Sequence, residues 1–356
     1  MQGRGLALSP PFRQTLIMIA TVEPQALPAE WLAHRYDPGH DAIHFIQASR
    51  EERRAAAFLT DEHLPGAAKP LVMRRQDVVR SVSATRLNFI FHSAYCCSTL
   101  LANAYDRPGS SMSLKEPVLL NDIVGWRHRG GEPAAIGEVL RDGLATLSRG
   151  FTPAESCVIK PSNVVNGLAS AMLTMRPEAT ALLVHAPLDA FLGSIAGKGL
   201  WGRRWVRELL AKLLKEGLVD LGFGPEEIFL HTDLQVAATG WLAQHALFAK
   251  LAAAWPDRVR TLNSETLLAN PHAALAALDQ LFGVDATEDD RAQIVSEVFT
   301  RHAKFGGDFD ARDRERNRRD ATEIHGEELA MVSQWALAVA TSAGVDSVLP
   351  LPLIAD

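Results

Sequence analysis

Short apolar runs alternate with longer amphipathic stretches along most of the chain, from Arg86 onward. The apolar runs have the length of strands, and the stretches between them have the length and periodicity of helices of ten or more residues. Such alternation is typical of repeated strand–helix–strand units around a parallel sheet. We predict six strands: Leu87–Phe91, Met112–Leu114, Cys157–Ile159, Ala181–His185, Ile228–His231 and Val259–Leu262. The pattern predicts a three-layer α/β/α fold with a mainly parallel central sheet and helical additions.

Residues 1–85 do not follow this alternation and are predicted to form an N-terminal extension or cap. The elements expected in it are a short helix at Pro28–His34, an extended piece at Ala42–Gln47 and a charged helix at Arg50–Phe58. Residues 86–300 are predicted to form the main domain. Residues 301–356 are predicted to form a charged segment and a helix that pack on the main domain.

Composition excludes several classes of protein. The 356 residues are 47% hydrophobic and 22% charged, as in globular chains with a sizeable core. A net charge of −6 argues against nucleic-acid binding, which needs an excess of Lys and Arg. Three cysteines, two of them adjacent at Cys96 and Cys97, fit neither a disulfide framework nor a metal site. We therefore expect a cytoplasmic protein with reduced thiols and no metal. We also expect no membrane span, because the best apolar stretch, Ala179–Ala196, is interrupted by polar residues and proline.

The most informative stretch is the loop that follows Leu87–Phe91 and leads into a helix near Ser98. Main-chain N–H groups converge at such a strand-to-helix loop, so it can bind an anion. A nucleotide-binding Walker A loop would have Gly-Lys before the Ser or Thr, and that lysine is absent here, which disfavours an ordinary ATPase or kinase. The alternative is a plain helix start capped by Ser98. The candidate binding residues are His92, Ser93, Ala94, Tyr95, Cys96, Cys97, Ser98 and Thr99.

This loop resembles the 5′-phosphosulfate loop of bacterial sulfotransferases, commonly written Arg-Ser-Gly-Ser-Thr-Leu-Leu, whose last six positions fall on Cys96–Leu101. Val259–Pro271 and the helix after it, which ends at Gly283, are similar to that family's Tyr-Glu-Asp-Leu-Leu-Ala-Asp-Pro signature. Two departures matter. Cys97 replaces a glycine, which is tolerable if its φ is not positive. Tyr95 stands where the family usually has a cation beside the transferring group.

Other predicted strand ends also resemble sulfotransferase segments. Glu116, before Pro117, matches a glutamate that lies near the acceptor hydroxyl in a group of bacterial sulfotransferases and is a candidate base. Lys115 and Lys160 are candidates to balance charge at the leaving phosphate. The structural alternative is a solvated turn at Lys115 and Glu116. His185 replaces the arginine of the family's Arg-x-Pro-x-Asp segment, which holds the donor's 3′-phosphate together with a downstream serine, here Ser194.

The resemblance implies a P-loop fold and transfer of a sulfuryl group from 3′-phosphoadenosine 5′-phosphosulfate (PAPS), without a metal. The acceptor would be a hydroxyl or amine of a small molecule or carbohydrate, and a homo-oligomer is one expected assembly. Two alternatives stay open at this point. One is a P-loop transferase or kinase-like enzyme that uses another nucleotide. The other is a degenerate nucleotide-binding protein without turnover.

Overall fold

The structure, a computed structural model, describes residues 27–355 apart from 65, 67–68, 80–84 and 300–310. Residues 1–26 of the predicted extension and 301–310 of the predicted C-terminal segment thus lie outside the described part. Eight strands are described: β1 (Trp31–Asp37), β2 (Ala42–Gln47), β3 (Leu71–Arg74), β4 (Leu87–His92), β5 (Ser111–Lys115), β6 (Ser156–Lys160), β7 (Thr180–His185) and β8 (Val259–Asn263).

The helices fill the connections between the strands and extend beyond the last strand. The first seven in chain order are α1 (Arg50–Ala55), α2 (Arg75–Val79), α3 (Ser98–Ala104), α4 (Val118–His128), α5 (Pro133–Leu147), α6 (Ala169–Met175) and α7 (Leu188–Gly197). The remaining seven are α8 (Gly199–Lys215), α9 (Pro225–Leu230), α10 (Asp233–Ala254), α11 (Ser264–Ala269), α12 (Pro271–Phe282), α13 (Glu288–Val298) and α14 (Ala311–Ala343). A 3-10 helix at Asn163–Leu168 precedes α6.

A five-stranded, all-parallel sheet forms the centre, in the order β5-β6-β4-β7-β8. Every residue of β4, β5 and β6 is buried, as expected of strands covered on both faces. Phe89 and Phe91 pack with α4, α5 and α6 on one face, whereas Ile90 packs with α3, α7 and α12 on the other. The predicted three-layer α/β fold with a parallel central sheet is confirmed.

The N-terminal elements form a separate antiparallel sheet in the order β1-β2-β3. Ile43 and Phe45 of this sheet belong to the same apolar cluster as Phe89, so the small sheet packs on the face of the main domain that carries α4 and α5. The helix predicted at Pro28–His34 is wrong, because Trp31–Asp37 is a strand paired with β2. The division of the chain at residues 85 and 300 stays a prediction.

Another element prediction is also wrong. Ile228–His231 was expected to be a strand, but the segment lies at the end of helix α9. Pro225 at the first helical turn and Glu227, which accepts a hydrogen bond from the Gly224 amide at 2.8 Å, are helix-start signals that outweigh the short apolar run. The other five predicted strands are confirmed.

The signature helix α12 has the predicted ends. Pro271 occupies its first turn, and Gly283 ends it with a φ of 59°, in the left-handed region that favours glycine. A Cβ atom at Gly283 would collide with the guanidinium of Arg86. Here a glycine is required by both the backbone angle and the close approach of a neighbour.

The chain's last described residues run along the outer edge of the central sheet. The Thr261 amide donates to the Leu351 carbonyl at 3.0 Å, and the Leu353 amide donates back to the Thr261 carbonyl at 2.8 Å. This segment thus continues the sheet beyond β8 for the length of one bridge. In the part of the chain that the structure describes, no helix is long and apolar enough to cross a membrane.

Candidate functional site

The loop between β4 and α3 leaves the middle strand of the sheet at its carboxyl end. After β4 the chain builds β5 and β6 on one side of it, then crosses to build β7 and β8 on the other. In open α/β sheets, ligands bind outside the carboxyl ends of the strands where the strand order reverses in this way. The topology therefore puts the predicted anion loop at the position where a ligand site is expected.

The loop backbone is unusual. Ala94, Tyr95 and Cys97 have φ values of 74°, 52° and 61°, although none of them is a glycine. A left-handed conformation costs an L-residue about 1 kcal/mol or more. Clustered backbone strain of this kind persists where surrounding structure holds it, often at ligand sites. The condition under which Cys97 could replace the glycine without strain, a φ that is not positive, is not met, because the loop keeps the glycine geometry despite the side chain.

This conformation presents main-chain donors. The Ser93 amide donates to the Val184 carbonyl at 3.1 Å, and the Ala94 amide donates to Nδ1 of His92 at 3.1 Å. By contrast, the amides of Tyr95, Cys96 and Thr99 donate to no acceptor among the described residues. Successive N–H groups in mixed left- and right-handed conformations form a concave anion-binding nest.

The start of α3 differs from the plain helix cap considered above. Cys97 occupies the N-cap position, and Ser98 is the first helical residue, so the alternative in which Ser98 caps the helix is wrong. The helix has only seven residues, from Ser98 to Ala104. The capacity to bind an anion therefore rests on the loop amides rather than on the dipole of α3.

His92 links the loop to the neighbouring strands. Its Nδ1 accepts from the Ala94 amide, so Nε2 carries the proton and donates to the Pro161 carbonyl at 3.1 Å. The same Nε2 lies 3.7 Å from Oε1 of Glu116. His92 thus holds the loop at its base and stands beside the candidate catalytic carboxylate.

Glu116 and Lys160 meet at the ends of adjacent strands. The Glu116 amide donates to the Lys160 carbonyl at 2.6 Å, and Nζ of Lys160 donates to Oε1 of Glu116. The Lys160 side chain is 1% exposed and that of Glu116 is 19% exposed, with a φ of 51° at Glu116. The carboxylate therefore keeps access to solvent, whereas the lysine that it binds is fully buried.

Lys115 is directed elsewhere. Its Nζ donates to the Arg54 carbonyl at 2.8 Å, on the N-terminal helix α1. Burial is the main cause that lowers its pKa to about 8, and the nearby charges of Arg54 and Lys160 act in the same direction against the opposing effect of Asp106. Lys115 thus stands beside Lys160 in the register of β5 and β6 but is bonded to the extension.

His185 and Ser194, the two residues expected at the 3′-phosphate, make different contacts. His185 ends β7, next to the strand that carries the loop, and its ring centroid lies 5.0 Å from that of His245. The Ser194 hydroxyl donates to the Ala190 carbonyl within α7 at 2.8 Å, so its proton is used inside the helix. The structure places His185 near the loop, and the assignment of both residues to a 3′-phosphate stays a prediction.

A buried polar cluster below the loop was not foreseen. The Asn166 side chain donates to the His92 carbonyl at 3.0 Å and to Oε1 of Gln244 at 3.2 Å. Both ring nitrogens of His245 have no hydrogen-bond partner among the described residues, and burial lowers the pKa of this histidine well below its usual value. These residues lie on the 3-10 helix and on α10, and no spacing in the sequence connects them to the loop.

Tyr95 turns its ring toward α7 and α8. The ring contacts Phe191 and Trp205 edge to face, with centroids 6.0 Å and 5.5 Å away, and burial raises the Tyr95 pKa. Nζ of Lys198 lies 5.8 Å from the centre of the same ring. Lys198 was not among the predicted site residues, although its place between Gly197 and Gly199 marks it as part of a turn.

An open cleft of about 700 Å³ lies away from the loop, against β1 and α4. Its charged lining is largely paired with itself. Arg35 binds both oxygens of Asp122 at 2.8 Å and also contacts Asp61. We interpret the ion pairs that line this cleft as structural, because they connect the N-terminal sheet to α4.

Comparison with known proteins gives limited similarity. No family model matches the chain, and no curated protein matches its sequence. Among solved structures, the sulfotransferase domain of the Synechococcus PCC 7002 olefin synthase is 16% identical with a TM-score of 0.38, over 59% of this chain and 77% of that one. The sulfotransferase domain of the curacin biosynthetic pathway is 15% identical with a TM-score of 0.38, over 64% of this chain and 82% of that one.

A sulfotransferase from Mycobacterium tuberculosis H37Rv is also similar, at 12% identity and a TM-score of 0.37, over 69% of this chain and 77% of that one. All three structures carry the name of the family that the loop resembles in sequence. Overlap at these TM-scores carries no functional argument of its own.

Proposed function

We propose that this protein is a sulfotransferase-like enzyme that moves a sulfuryl group from PAPS to a hydroxyl or amine. The observation that carries the proposal is the strained loop at the end of β4, which presents amides with no acceptor among the described residues and follows His92, 3.7 Å from the Glu116 carboxylate that binds Lys160. An anion site and a solvent-accessible carboxylate thus occupy the same edge of the sheet. Transfer of a charged group to a hydroxyl needs both of them.

In this proposal the amides of Tyr95, Cys96 and Thr99 hold oxygens of the 5′-phosphosulfate. The acceptor oxygen or nitrogen attacks sulfur, and the bond between sulfur and the bridging phosphate oxygen breaks. The acceptor's proton passes to Glu116, and adenosine 3′,5′-bisphosphate (PAP) leaves with the additional negative charge. Positioning and charge stabilisation supply most of the rate, since little covalent chemistry falls to the protein.

Lys160 has a defined role in the proposed reaction. Its ammonium group is bound to the Glu116 carboxylate. Once that carboxyl takes up the acceptor's proton, its attraction for Lys160 falls, and the ammonium group becomes available to the leaving phosphate. The buried pair would thereby couple proton uptake to charge neutralisation.

A second candidate is a nucleotide-binding protein without sulfuryl transfer. It is favoured by Tyr95 and His185, which stand where the resemblance would place cations. Such a protein would use the loop and the sheet edge for binding alone, or for another nucleotide with Mg²⁺.

Calorimetric titration of the full chain with PAP, and separately with ATP and Mg²⁺, tests the proposal. A turnover assay with PAPS and a panel of hydroxyl and amine acceptors accompanies it. Saturable PAP binding with sulfuryl transfer is the expected result. PAP binding without transfer to any acceptor favours the non-catalytic candidate, whereas binding of ATP alone favours the other nucleotide.

A further inference from the structure

The cations around the loop differ in what they already bind. Lys160 is bonded to Glu116, and Lys115 is bonded to the Arg54 carbonyl. His92 accepts a hydrogen bond at Nδ1 and so is not a cation in this arrangement. Lys198, in contrast, has no carboxylate partner among the residues that the structure describes. It is an exposed positive charge next to the loop that no carboxylate in the described part of the chain compensates.

Its position is set by the turn between α7 and α8. Lys198 is at once the residue that ends α7 and the residue that precedes α8, and Gly199 beside it has a φ of 57°. Its Nζ lies 5.8 Å from the ring centre of Tyr95 and 5.9 Å from that of Trp201. Contacts of this kind are weakly attractive at exposed sites. Two aromatic faces therefore hold the ammonium group near the loop without neutralising it.

The Tyr95 ring is in turn fixed from behind. Phe191 on α7 and Trp205 on α8 contact it. The Tyr95 ring, one of the two rings beside Lys198, is therefore held in place by packing. Tyr95 also belongs to the strained part of the loop, with its own amide unpaired among the described residues. An anion bound at the Tyr95 amide would therefore lie close to Lys198, whose ammonium group contacts the Tyr95 ring.

We propose that Lys198 supplies, from the α7–α8 turn, the positive charge that the loop itself lacks, and that it binds the sulfate or 5′-phosphate of the nucleotide donor. This inference rests on the proposed function. A charge-assisted hydrogen bond to an anion is stronger than a cation–π contact at the surface, so an arriving donor would draw the ammonium group away from the rings. Lysine suits this exchange because it is a compact charge on a flexible stem.

The test compares Lys198→Gln and Lys198→Arg with Lys212→Gln as the matched control. Lys212 is an exposed lysine on the same helix α8, so its variant loses the same charge away from the loop. PAP affinity is measured by calorimetry at several salt concentrations, and sulfuryl transfer from PAPS is measured beside it. Lys198→Gln is expected to weaken PAP binding, or to lower turnover, by about tenfold to a hundredfold. Lys198→Arg should stay within about threefold of the unaltered protein, because the charge is kept.

The salt dependence separates a charge contact from a packing role. Loss of an ionic contact to the anion makes PAP affinity fall less steeply with salt in Lys198→Gln than in the unaltered protein, and a lost packing contact does not. If the unaltered protein binds PAP but Lys198→Gln behaves like Lys212→Gln, the inference is overturned while the proposed function stands. An equal loss in Lys198→Arg and Lys198→Gln overturns it as well. Absence of PAP binding to the unaltered protein overturns both.

Discussion

Lys160 donates from Nζ to Oε1 of Glu116 across the ends of the neighbouring strands β6 and β5. A second bond, from the Glu116 amide to the Lys160 carbonyl at 2.6 Å, ties the same two residues through the main chain. Because the lysine is buried, a variant at Glu116 without an acceptor would leave the ammonium group both uncompensated and without its hydrogen bond. Variants at this pair must therefore keep a hydrogen-bond acceptor for the lysine.

Glu116→Gln satisfies that condition, because the amide oxygen still accepts from Lys160. If Glu116 takes the acceptor's proton, sulfuryl transfer from PAPS should fall by about a hundredfold or more. PAP affinity should be kept or increased, since the loop amides that hold the phosphates are unaltered and Lys160 no longer faces a carboxylate. Both quantities are measured on the full chain, by turnover and by calorimetry.

Glu297→Gln is the control for Glu116→Gln, because Glu297 is exposed on α13 and loses the same charge. It should have the turnover of the unaltered protein. Unchanged turnover in Glu116→Gln, with PAP binding intact, would remove Glu116 as the base.

Cys97→Gly tests the strain in the loop. With a φ of 61°, the Cys97 backbone is in a region that costs an L-residue about 1 kcal/mol and costs glycine almost nothing. The free energy of unfolding in urea should therefore rise in Cys97→Gly. Relief of the strain contributes about 1 kcal/mol, and the conformational entropy that the more flexible glycine loses on folding subtracts from that gain.

The adjacent cysteine provides the comparison for Cys97→Gly. Cys96 does not have a positive φ, and it is 1% exposed, so Cys96→Gly removes a packed side chain without relieving strain. That variant should be less stable than the unaltered protein. Equal destabilisation of the two variants would mean that the loop is not strained at Cys97.

Lys115 gives the stability a defined dependence on pH. Its pKa is lowered to about 8 in the folded protein, from 10.5. Between those two pH values the unfolded chain binds more protons at this lysine than the folded protein does. The contribution of Lys115 to the free energy of unfolding therefore rises with pH. Below about pH 8 the folded protein carries the full cost of the buried charge, which corresponds to about 3 kcal/mol.

Lys115→Met removes the charge and keeps most of the side-chain volume. Relative to the unaltered protein, the variant should be more stable at pH 7, and this advantage should shrink as the pH rises from 8 toward 10.5. Urea unfolding of both proteins across that range measures the difference directly. A difference in stability that is constant with pH would show that Lys115 does not titrate at a lowered pKa.

The central sheet could be predicted because its strands are apolar on both faces and their helices are long enough to be recognised. Pro28–His34 and Ile228–His231 could not be assigned correctly for opposite reasons. The first becomes a strand only because β2 offers a partner. The second carried a usable local signal, the proline and glutamate at the start of α9, which a four-residue apolar run obscured.

The candidate site was predictable in its place but not in its contacts. A strand followed by small residues and a helix is visible in the sequence, so the loop from His92 to Ser98 could be located. The left-handed angles of Ala94 and Tyr95 could not be read from residues that seldom adopt them. Nor could the spacing show that Lys160 binds Glu116, because that contact depends on the order of strands in the sheet.

The segment that lies along β8 also bears on how the protein avoids aggregation. An uncovered edge strand offers unpaired main-chain groups on which another chain can add. Residues 351–353 block part of that edge, because they form hydrogen bonds with both the amide and the carbonyl of Thr261. Shortening the chain by a few residues at this end would therefore expose a template for intermolecular sheet growth, at a point remote from the loop and its chemistry.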